Sequence, residues 1–301
     1  MSKKIIIPII LVLAVGLFVV GAQIFTGEDV WLCQNGQWVK HGNPSSAMPT
    51  TGCSSSTSQQ NQNIQVYNVK SGDSIESPFI VEGKAKAWYF EATFPVKLVD
   101  EQGKVLLETY AQAQGDWMTA EFAPFKSALE FEVEADTKAN LILMKDNPSG
   151  LSENDEQISI PVTLKKSSET ESKMIINVFY NNNKMDPEVS CNKVFPVARV
   201  LVKTQALARS ALESLLVGNL TQADQEAGFS TSISQGVVIQ KLTIENNVAK
   251  VDFNDKLEYQ MGGSCRVSAI RAQITETLKQ FSTVKDVIIS INGRTEDILQ
   301  P

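Results

Sequence analysis

The first long pattern along the chain is an apolar run from residue 5 to residue 25, preceded by Lys3 and Lys4. About 20 apolar residues cross the ~30 Å hydrocarbon core of a bilayer as a helix. Because the positively charged flank of such a helix stays cytoplasmic, we expect residues 1–27 to form a single-pass anchor with the bulk of the chain outside the cell. A cleaved signal peptide, ending near the small residues 20–22, is the alternative.

Residues 28–53 form the next segment, in which Asn35-Gly36 separates two runs of strand-like composition. Asn-Gly between such runs is a strong signal for a two-residue β-hairpin, since both turn residues tolerate a positive φ. This turn would place Cys33 opposite Trp38. A lone hairpin is only marginally stable, so we expect a disulfide between Cys33 and Cys53 to hold this stalk together.

Two polar segments of low complexity divide the remainder of the chain. Residues 54–63 and residues 165–173 are rich in Ser, Gln, Glu and Lys, a composition typical of flexible linkers. They separate a middle module, residues 64–164, from a last module, residues 174–301.

The middle module has the pattern of an all-β domain. Leu129, Phe131 and Val133 alternate with three glutamates, which gives one apolar face and one carboxylate face. We interpret the carboxylate face as solvated rather than as a cation site. Short strands separated by turns favour an immunoglobulin-like sandwich. The predicted strands are 64–69, 79–83, 92–99, 104–112, 119–122, 129–135, 139–145 and 158–164.

The last module combines helical and strand periodicities. A helical stripe of apolar residues runs from Ala208 to Leu216, with Thr204 as its N-cap and Gly218 as its stop. A second helix is predicted over residues 268–281. The pattern indicates an α+β unit, a sheet with two helices on one face. The predicted strands are 175–180, 197–202, 237–244, 248–253 and 287–291.

Composition and charge exclude several classes of function. The net charge is −7, and its acidic excess lies in residues 64–164, which argues against a nucleic-acid partner. The single histidine, His41, removes most schemes that need an imidazole base. Neither a nucleophile elbow nor a phosphate-binding glycine loop is present. Because no Cys-x-x-Cys motif occurs either, we predict no metal and no cofactor.

The four cysteines all follow the apolar run, an even number that suits an oxidising compartment. Four cysteines allow three pairings, and position within the modules favours Cys191 with Cys265 beside the pair in the stalk. The alternative is that Cys191 and Cys265 are free buried thiols.

The last module contains short motifs in an order and spacing that are specific when taken together. They are VFPVAR (194–199), ALESLLVG (211–218), AGFST (227–231), VDFN (251–254), GGS (262–264), RAQI (271–274), TL (277–278) and VKDVIISING (284–293). This series resembles the GerMN domain of bacterial sporulation and spore-germination proteins. The stalk and the two cysteines of the last module depart from that family's usual pattern.

A less specific set of motifs lies in the middle module: SPF (77–79), GKA (83–85), FEA (90–92) and ISIPVTL (158–164). These motifs resemble the immunoglobulin-like domain often found beside GerMN. The two resemblances imply a non-enzymatic protein of the cell envelope that binds or scaffolds a cell-wall polymer or an envelope protein. A homo-oligomer is a further alternative, because GerMN resembles ring-building folds. The family supplies no catalytic residues to carry over, and no link to spores follows.

Arg199 and Arg271 lie at positions that match the family. A partly buried guanidinium needs an acceptor, so we expect Arg199 to pair internally with a carboxylate such as Asp252. The alternative is an anionic-ligand site in which Arg199 and Arg271 lie near the free backbone N–H groups of Gly262, Gly263 and Ser264.

Asp252 and Asp255 carry the competing enzymatic hypothesis. Two carboxylates about 5 to 10 Å apart can hydrolyse a glycosidic bond, and these two lie three residues apart at the end of a strand. A carboxylate after a strand is more typical of a turn. We therefore expect a binding module, with an envelope-glycan hydrolase as the alternative.

Overall fold

The computed structural model describes residues 30–34, 37–41, 47–48, 62–167, 172–260 and 262–300. The chain forms two compact units, Met1–Gln59 and Gln60–Pro301. The predicted anchor, residues 1–27, lies outside the described residues. Within the described ranges, no helix has both the length and the apolar character needed to cross a bilayer.

The first unit contains a hairpin of two antiparallel strands, β1 (Val30–Gln34) and β2 (Gln37–His41). Cys33 pairs with Trp38 in this ladder, which confirms the predicted hairpin and its register. Cys53 lies outside the described residues, so the Cys33–Cys53 disulfide stays a prediction.

The second unit contains the remaining strands and three α-helices of the described chain. In chain order the elements are β3 (Ile64–Val66), β4 (Ser74–Glu76), β5 (Phe79–Ala85), β6 (Thr93–Asp100), β7 (Val105–Ala113), β8 (Ala123–Leu129), β9 (Thr137–Met144), β10 (Gln157–Lys165), β11 (Lys173–Asn182), β12 (Phe195–Val202), α1 (Leu207–Val217), α2 (Gln222–Glu226), β13 (Phe229–Ser230), β14 (Ile239–Glu245), β15 (Val248–Phe253), α3 (Ser264–Lys279) and β16 (Asp286–Ile291). Strands β3 to β10 form a first domain, and the elements from β11 onward form a second.

The first domain is built from one sheet of eight strands in the order β3-β5-β8-β7-β6-β9-β10-β4. Two residue pairs, Gln112 with Lys126 and Ala113 with Phe125, join β7 to β8 in the described chain. The sheet folds over at this narrow link and encloses one apolar core. Across the fold, the rings of Phe94 and Phe125 pack edge to face with their centroids 5.0 Å apart. This is the all-β, sandwich-like architecture that the alternation predicted.

One part of the strand prediction for this domain is wrong. In place of strands at 119–122 and 129–135, the structure has a single strand between them, β8. All but one of its residues are buried, including Lys126 and Ser127, so it lacks the polar alternation on which the prediction relied. After Leu129, Phe131 is still buried between two exposed glutamates, but this segment pairs with no strand in the described chain.

Gly83 in β5 is required where β3 and the core meet. A Cβ atom there would lie 2.1 Å from the carbonyl oxygen of Gln65 and 2.7 Å from a ring carbon of Phe125. These distances are shorter than any real carbon contact, so a side chain would push β3 off β5 or displace the core ring. Gly83 thus lets the edge strand cross closely over the core.

The second domain corrects the predicted single sheet. Its strands form two three-stranded sheets, in the orders β12-β11-β13 and β14-β15-β16. Helix α3 contacts β11 of one sheet and β16 of the other, and α1 contacts both β11 and α3. One apolar core therefore joins both sheets and the helices, with Val178, Leu212, Ile274 and Ile291 among its buried members. The helices hold two small sheets together instead of covering one larger sheet.

The helix limits follow the predicted signals in part. Gly218 ends α1 in the left-handed conformation at φ 64°, as predicted. Thr204 does not cap the helix itself: its hydroxyl accepts a hydrogen bond from the backbone N–H of Ala206, the residue before the helix, at 3.2 Å. Helix α3 begins at Ser264, four positions before the predicted start.

Cys191 and Cys265 form the predicted disulfide, with their Cα atoms 5.0 Å apart. The bond joins the loop after β11 to the first turn of α3. It therefore ties a loop to the helix that joins the two sheets of the second domain.

Candidate functional site at the domain interface

Four charged side chains meet where the two domains contact each other. Glu82 of β5 and Lys126 of β8 come from the first domain, and Arg199 of β12 and Asp224 of α2 come from the second. The side chain of Lys126 is 6% exposed and that of Asp224 is 0% exposed. We call these four residues the interface cluster.

The interface cluster is a chain of short ionic contacts. Lys126 Nζ lies 2.7 Å from Glu82 Oε1 and 2.7 Å from Asp224 Oδ1, so one ammonium group bridges the two domains. Arg199 Nη2 lies 2.6 Å from Asp224 Oδ2 and also donates to the carbonyl of Asn219 at 2.9 Å. Two cations and two anions cancel, which is the condition under which buried charges persist in a folded protein.

Helix α2 fixes the orientation of the Asp224 carboxylate. The hydroxyl of Thr221 accepts from the backbone N–H of Asp224 at 3.3 Å, and Asp224 Oδ2 accepts from the backbone N–H of Thr221 at 2.9 Å. This reciprocal pair is a capping box. The carboxylate is therefore held by its own helix in the position where it meets Lys126 and Arg199.

The charges around Asp224 decide its protonation. Burial by itself would raise the pKa of this carboxyl, but the positive charges of Lys126 and Arg199, with the hydrogen bonds from Lys126 and Thr221, outweigh it. The pKa of Asp224 is held below its ordinary value of 3.8. At neutral pH Asp224 is therefore an anion, and it pairs with Lys126 of the first domain and Arg199 of the second.

We expect the stability supplied by Asp224 to be lost in acid. A lowered pKa in the folded state means that the contribution is complete well above pH 3.8 and declines as the pH falls through that value toward the folded pKa. The check is urea unfolding of the wild type and of Asp224→Asn at pH 7, 5, 4 and 3. The stability difference between them should shrink below about pH 4. A difference that stays constant from pH 7 to pH 3 would contradict the assignment.

A second set of contacts lies at the end of α2. Glu226 accepts a hydrogen bond from the phenol of Tyr67, and its Oε1 lies 3.4 Å from Lys84 Nζ. Burial and the neighbouring carboxylate raise the pKa of Tyr67, so its hydroxyl stays protonated and donates. Burial alone would raise the pKa of Glu226, but the hydrogen bonds from Tyr67 and Gln222 and the charge of Lys84 lower it. Both acidic side chains of α2 thus dock on the first domain.

A cleft of about 670 Å³ opens beside the interface cluster, between the two domains. Glu82 and Arg199 belong both to the cluster and to the cleft wall, and the Glu76–Lys173 pair, with N and O 2.6 Å apart, also lines it. Its volume is within the range of about 300–1,000 Å³ typical of ligand sites. The other lining residues are Tyr67, Asn68, Ser74, Ile75, Pro78, Phe79, Ile80, Ala198, Val200, Thr221 and Gln222.

The predicted candidate residues are distributed over different parts of the second domain. Arg199 has the internal carboxylate partner that we expected, but the partner is Asp224 and not Asp252. Arg271 donates to the carbonyl of Ile298 at 3.2 Å. Gly262, Gly263 and Ser264 lie at the start of α3, where Gly263 is an N-cap without a side-chain bond. The structure records no contact that joins these residues to Arg199, and the anionic-ligand hypothesis stays a prediction.

Asp252 is engaged in holding a turn. Its Oδ1 accepts hydrogen bonds from the hydroxyl of Ser290 at 2.6 Å and from the backbone N–H of Gly293 at 2.9 Å. These contacts fix the end of β16 against β15. In the described chain, no group of three or more His, Cys, Asp and Glu side chains is arranged to hold a metal ion.

The sequence did not predict three members of the interface cluster, Glu82, Lys126 and Asp224. A signal for Asp224 is present, because Thr221 and Asp224 have the spacing of a capping box. Lys126 stands alone within an apolar run, which indicates a buried cation in need of a partner. Neither signal identifies the partner, since the contact forms between two domains.

Two protein families match the chain. Residues 177–297 match the family described as sporulation and spore germination, named Germane. Residues 63–152 match the family described as the immunoglobulin-like domain of bacterial spore germination, named Gmad2. The predicted resemblance is therefore confirmed for both domains and for their order.

Solved structures give a weaker likeness. The first GerMN domain of the sporulation protein GerM from Bacillus subtilis is 21% identical, with a TM-score of 0.31, over 40% of this chain and 85% of that chain. The tandem GerMN domains of the same protein are 21% identical, with a TM-score of 0.30, over 41% of this chain and 41% of that chain. A putative lipoprotein from Clostridium perfringens is 8% identical, with a TM-score of 0.26, over 41% of this chain and 76% of that chain. No curated protein sequence matches the chain.

Proposed function

We propose that this chain, which carries an immunoglobulin-like domain of bacterial spore germination followed by a sporulation and spore germination domain, is a non-catalytic binding or scaffolding module of the cell envelope. Its partner is a cell-wall polymer or an envelope protein, with self-association into a homo-oligomer as a further mode. Residues 5–25 anchor it in the membrane, with the N-terminus in the cytoplasm and both domains outside.

The interface cluster is the observation that carries this proposal. Lys126 and Asp224 pair across the domain boundary at 2.7 Å, and Glu82 and Arg199 complete the cluster within the first and the second domain, so the cluster's charge stabilises the contact between domains. Domains move relative to each other unless their interface holds them, and this ionic contact would hold the two domains together as one surface for a partner. That arrangement suits a scaffold better than an enzyme, which needs an acid or base free to exchange protons.

The proposed location draws on the apolar run and on cysteine chemistry. A single pass with Lys3 and Lys4 at its start leaves the domains on the outer side of the membrane. The Cys191–Cys265 disulfide suits that side, since disulfides persist in oxidising compartments.

The hydrolase alternative depends on Asp252, and turnover of wall glycan tests it directly. The full chain, extracted from native membranes, is incubated with purified peptidoglycan, and soluble sugar fragments are measured alongside sedimentation of the protein with the wall. Crosslinking and pull-down from the same membranes test for an envelope protein partner. We expect retention on the wall or capture of a discrete partner, without released fragments. Fragment release that Asp252→Asn abolishes would establish the hydrolase and overturn the binding role.

A further inference from the structure

We propose that the cleft between the domains binds an extended polypeptide, which adds as a strand to the open edges that line it. This inference deepens the proposed function, on which it rests, by assigning the partner class and the place of contact.

The wall that the second domain contributes is a strand edge. Ala198, Arg199 and Val200 are consecutive residues of β12 that all line the cleft. Successive residues of a strand point to opposite faces, so a wall made from a face would contain only every second residue. Strand β12 is the outermost strand of its sheet and pairs with β11 on its other side. The cleft therefore runs along its open edge.

The first domain contributes a second open edge. Ser74, Ile75 and Glu76 make up the whole of β4 and all line the cleft. Strand β4 is also outermost, with β10 as its neighbour in the described sheet. Open edges are templates for pairing with another chain. Here two of them, one from each domain, face the same cleft.

The charges in the cleft are already paired. Glu82 is bound by Lys126, Arg199 by Asp224, and Glu76 by Lys173. A phosphate or carboxylate ligand would therefore meet cations whose charge is already compensated. The two edges offer backbone N–H and C=O groups to a ligand, although the carbonyl of Ala198 already accepts from Arg199 Nη1 at 3.0 Å. An extended backbone has the complementary donors and acceptors and needs no net charge.

The apolar lining fits the side chains of such a strand. The half-buried side chains of Phe79, Ile80 and Val200 line the cleft among its polar groups. A bound strand would direct every second side chain toward these residues and the others toward solvent. The cleft also continues the interface cluster, since Glu82 and Arg199 belong to both. We therefore expect the ligand to be a segment with alternating apolar and polar residues.

The test is a library of phage-displayed ten-residue peptides, panned against the full-length protein. Selected peptides are synthesised with a fluorescent label, and each is also made with a single N-methyl group at successive positions. We expect alternating apolar and polar sequences, and a loss of affinity on N-methylation at every second position. That period is specific to strand pairing, because only every second N–H of a strand faces the edge it joins.

Two matched substitutions locate the binding. Ser74→Trp fills the cleft from an exposed position on β4, and Ser159→Trp adds the same bulk at an exposed position on β10 outside the cleft. We expect at least a tenfold loss of peptide affinity for the first and less than a twofold change for the second. Failure to select any peptide, equal effects of the two variants, or N-methyl effects without the two-residue period would each overturn the proposal. If such a failure accompanies wall retention without turnover, the envelope role stands and the cleft assignment alone falls.

Discussion

Replacing Asp224 with alanine is expected to lower the free energy of unfolding by about 3–5 kcal/mol. The substitution removes the one anion that contacts both Lys126 and Arg199, whose side chains are 6% and 14% exposed. Lys126 would then keep only the carboxylate of Glu82, and Arg199 would lose its ion pair with Asp224. Leaving a buried charge without its partner is far more costly than losing an exposed ion pair. Urea unfolding of the full chain at pH 7 measures the effect.

Two further variants serve as controls for this prediction. Asp224→Asn keeps the shape and the capping hydrogen bonds, so it should still fold while losing most of the same stability. Glu213→Ala breaks the exposed Arg209–Glu213 pair, whose side chains are 40% and 53% exposed, and should cost no more than about 0.5 kcal/mol. An Asp224→Ala variant no less stable than Glu213→Ala would show that the interface cluster does not support the fold.

Removing the Cys191–Cys265 disulfide has the second large expected effect. The bond spans 74 residues of sequence, and closing a loop of that length restricts the unfolded chain by up to about 4.5 kcal/mol in the chain-entropy model. Native-state effects usually reduce that value, so we expect the double variant Cys191→Ser, Cys265→Ser to lose about 2–4 kcal/mol. Thermal and urea unfolding under non-reducing conditions measure the loss.

The single variants are the internal control for the disulfide. Each of Cys191→Ser and Cys265→Ser breaks the same bond, so each should be about as unstable as the double variant, with the thiol alkylated to prevent new pairing. Additive losses would mean that the two side chains contribute separately and that the crosslink is unimportant for stability.

Features set by local chemistry could be predicted from the sequence. The Asn-Gly dipeptide in the sequence predicted the hairpin in which Cys33 pairs with Trp38. Gly218 ends α1 because only glycine adopts the left-handed conformation freely. Strand β15 has the predicted bounds, Val248–Phe253, because its apolar residues alternate and pack on one face.

Features set by contacts between distant parts of the chain could not be predicted from the sequence. Strand β8 is buried on both faces, so its residues carry no alternation and its position was displaced in the prediction. The division of the second domain into two sheets depends on α3 touching both β11 and β16. The partner of Arg199 is the clearest case, because Asp224 and Asp252 are both acidic and only the folded chain shows which one it meets.

We conclude that ionic contacts across the interface join the two domains into one unit. A double-mutant cycle between Lys126→Met in the first domain and Asp224→Asn in the second tests it most directly, with the free energy of unfolding measured for the wild type, both single variants and the double variant. We predict a coupling energy of about 1.5 kcal/mol or more, as close charge pairs across interfaces show. If the two losses of unfolding free energy add to within about 0.5 kcal/mol, the two residues act independently, and the ionic contact between them does not join the domains.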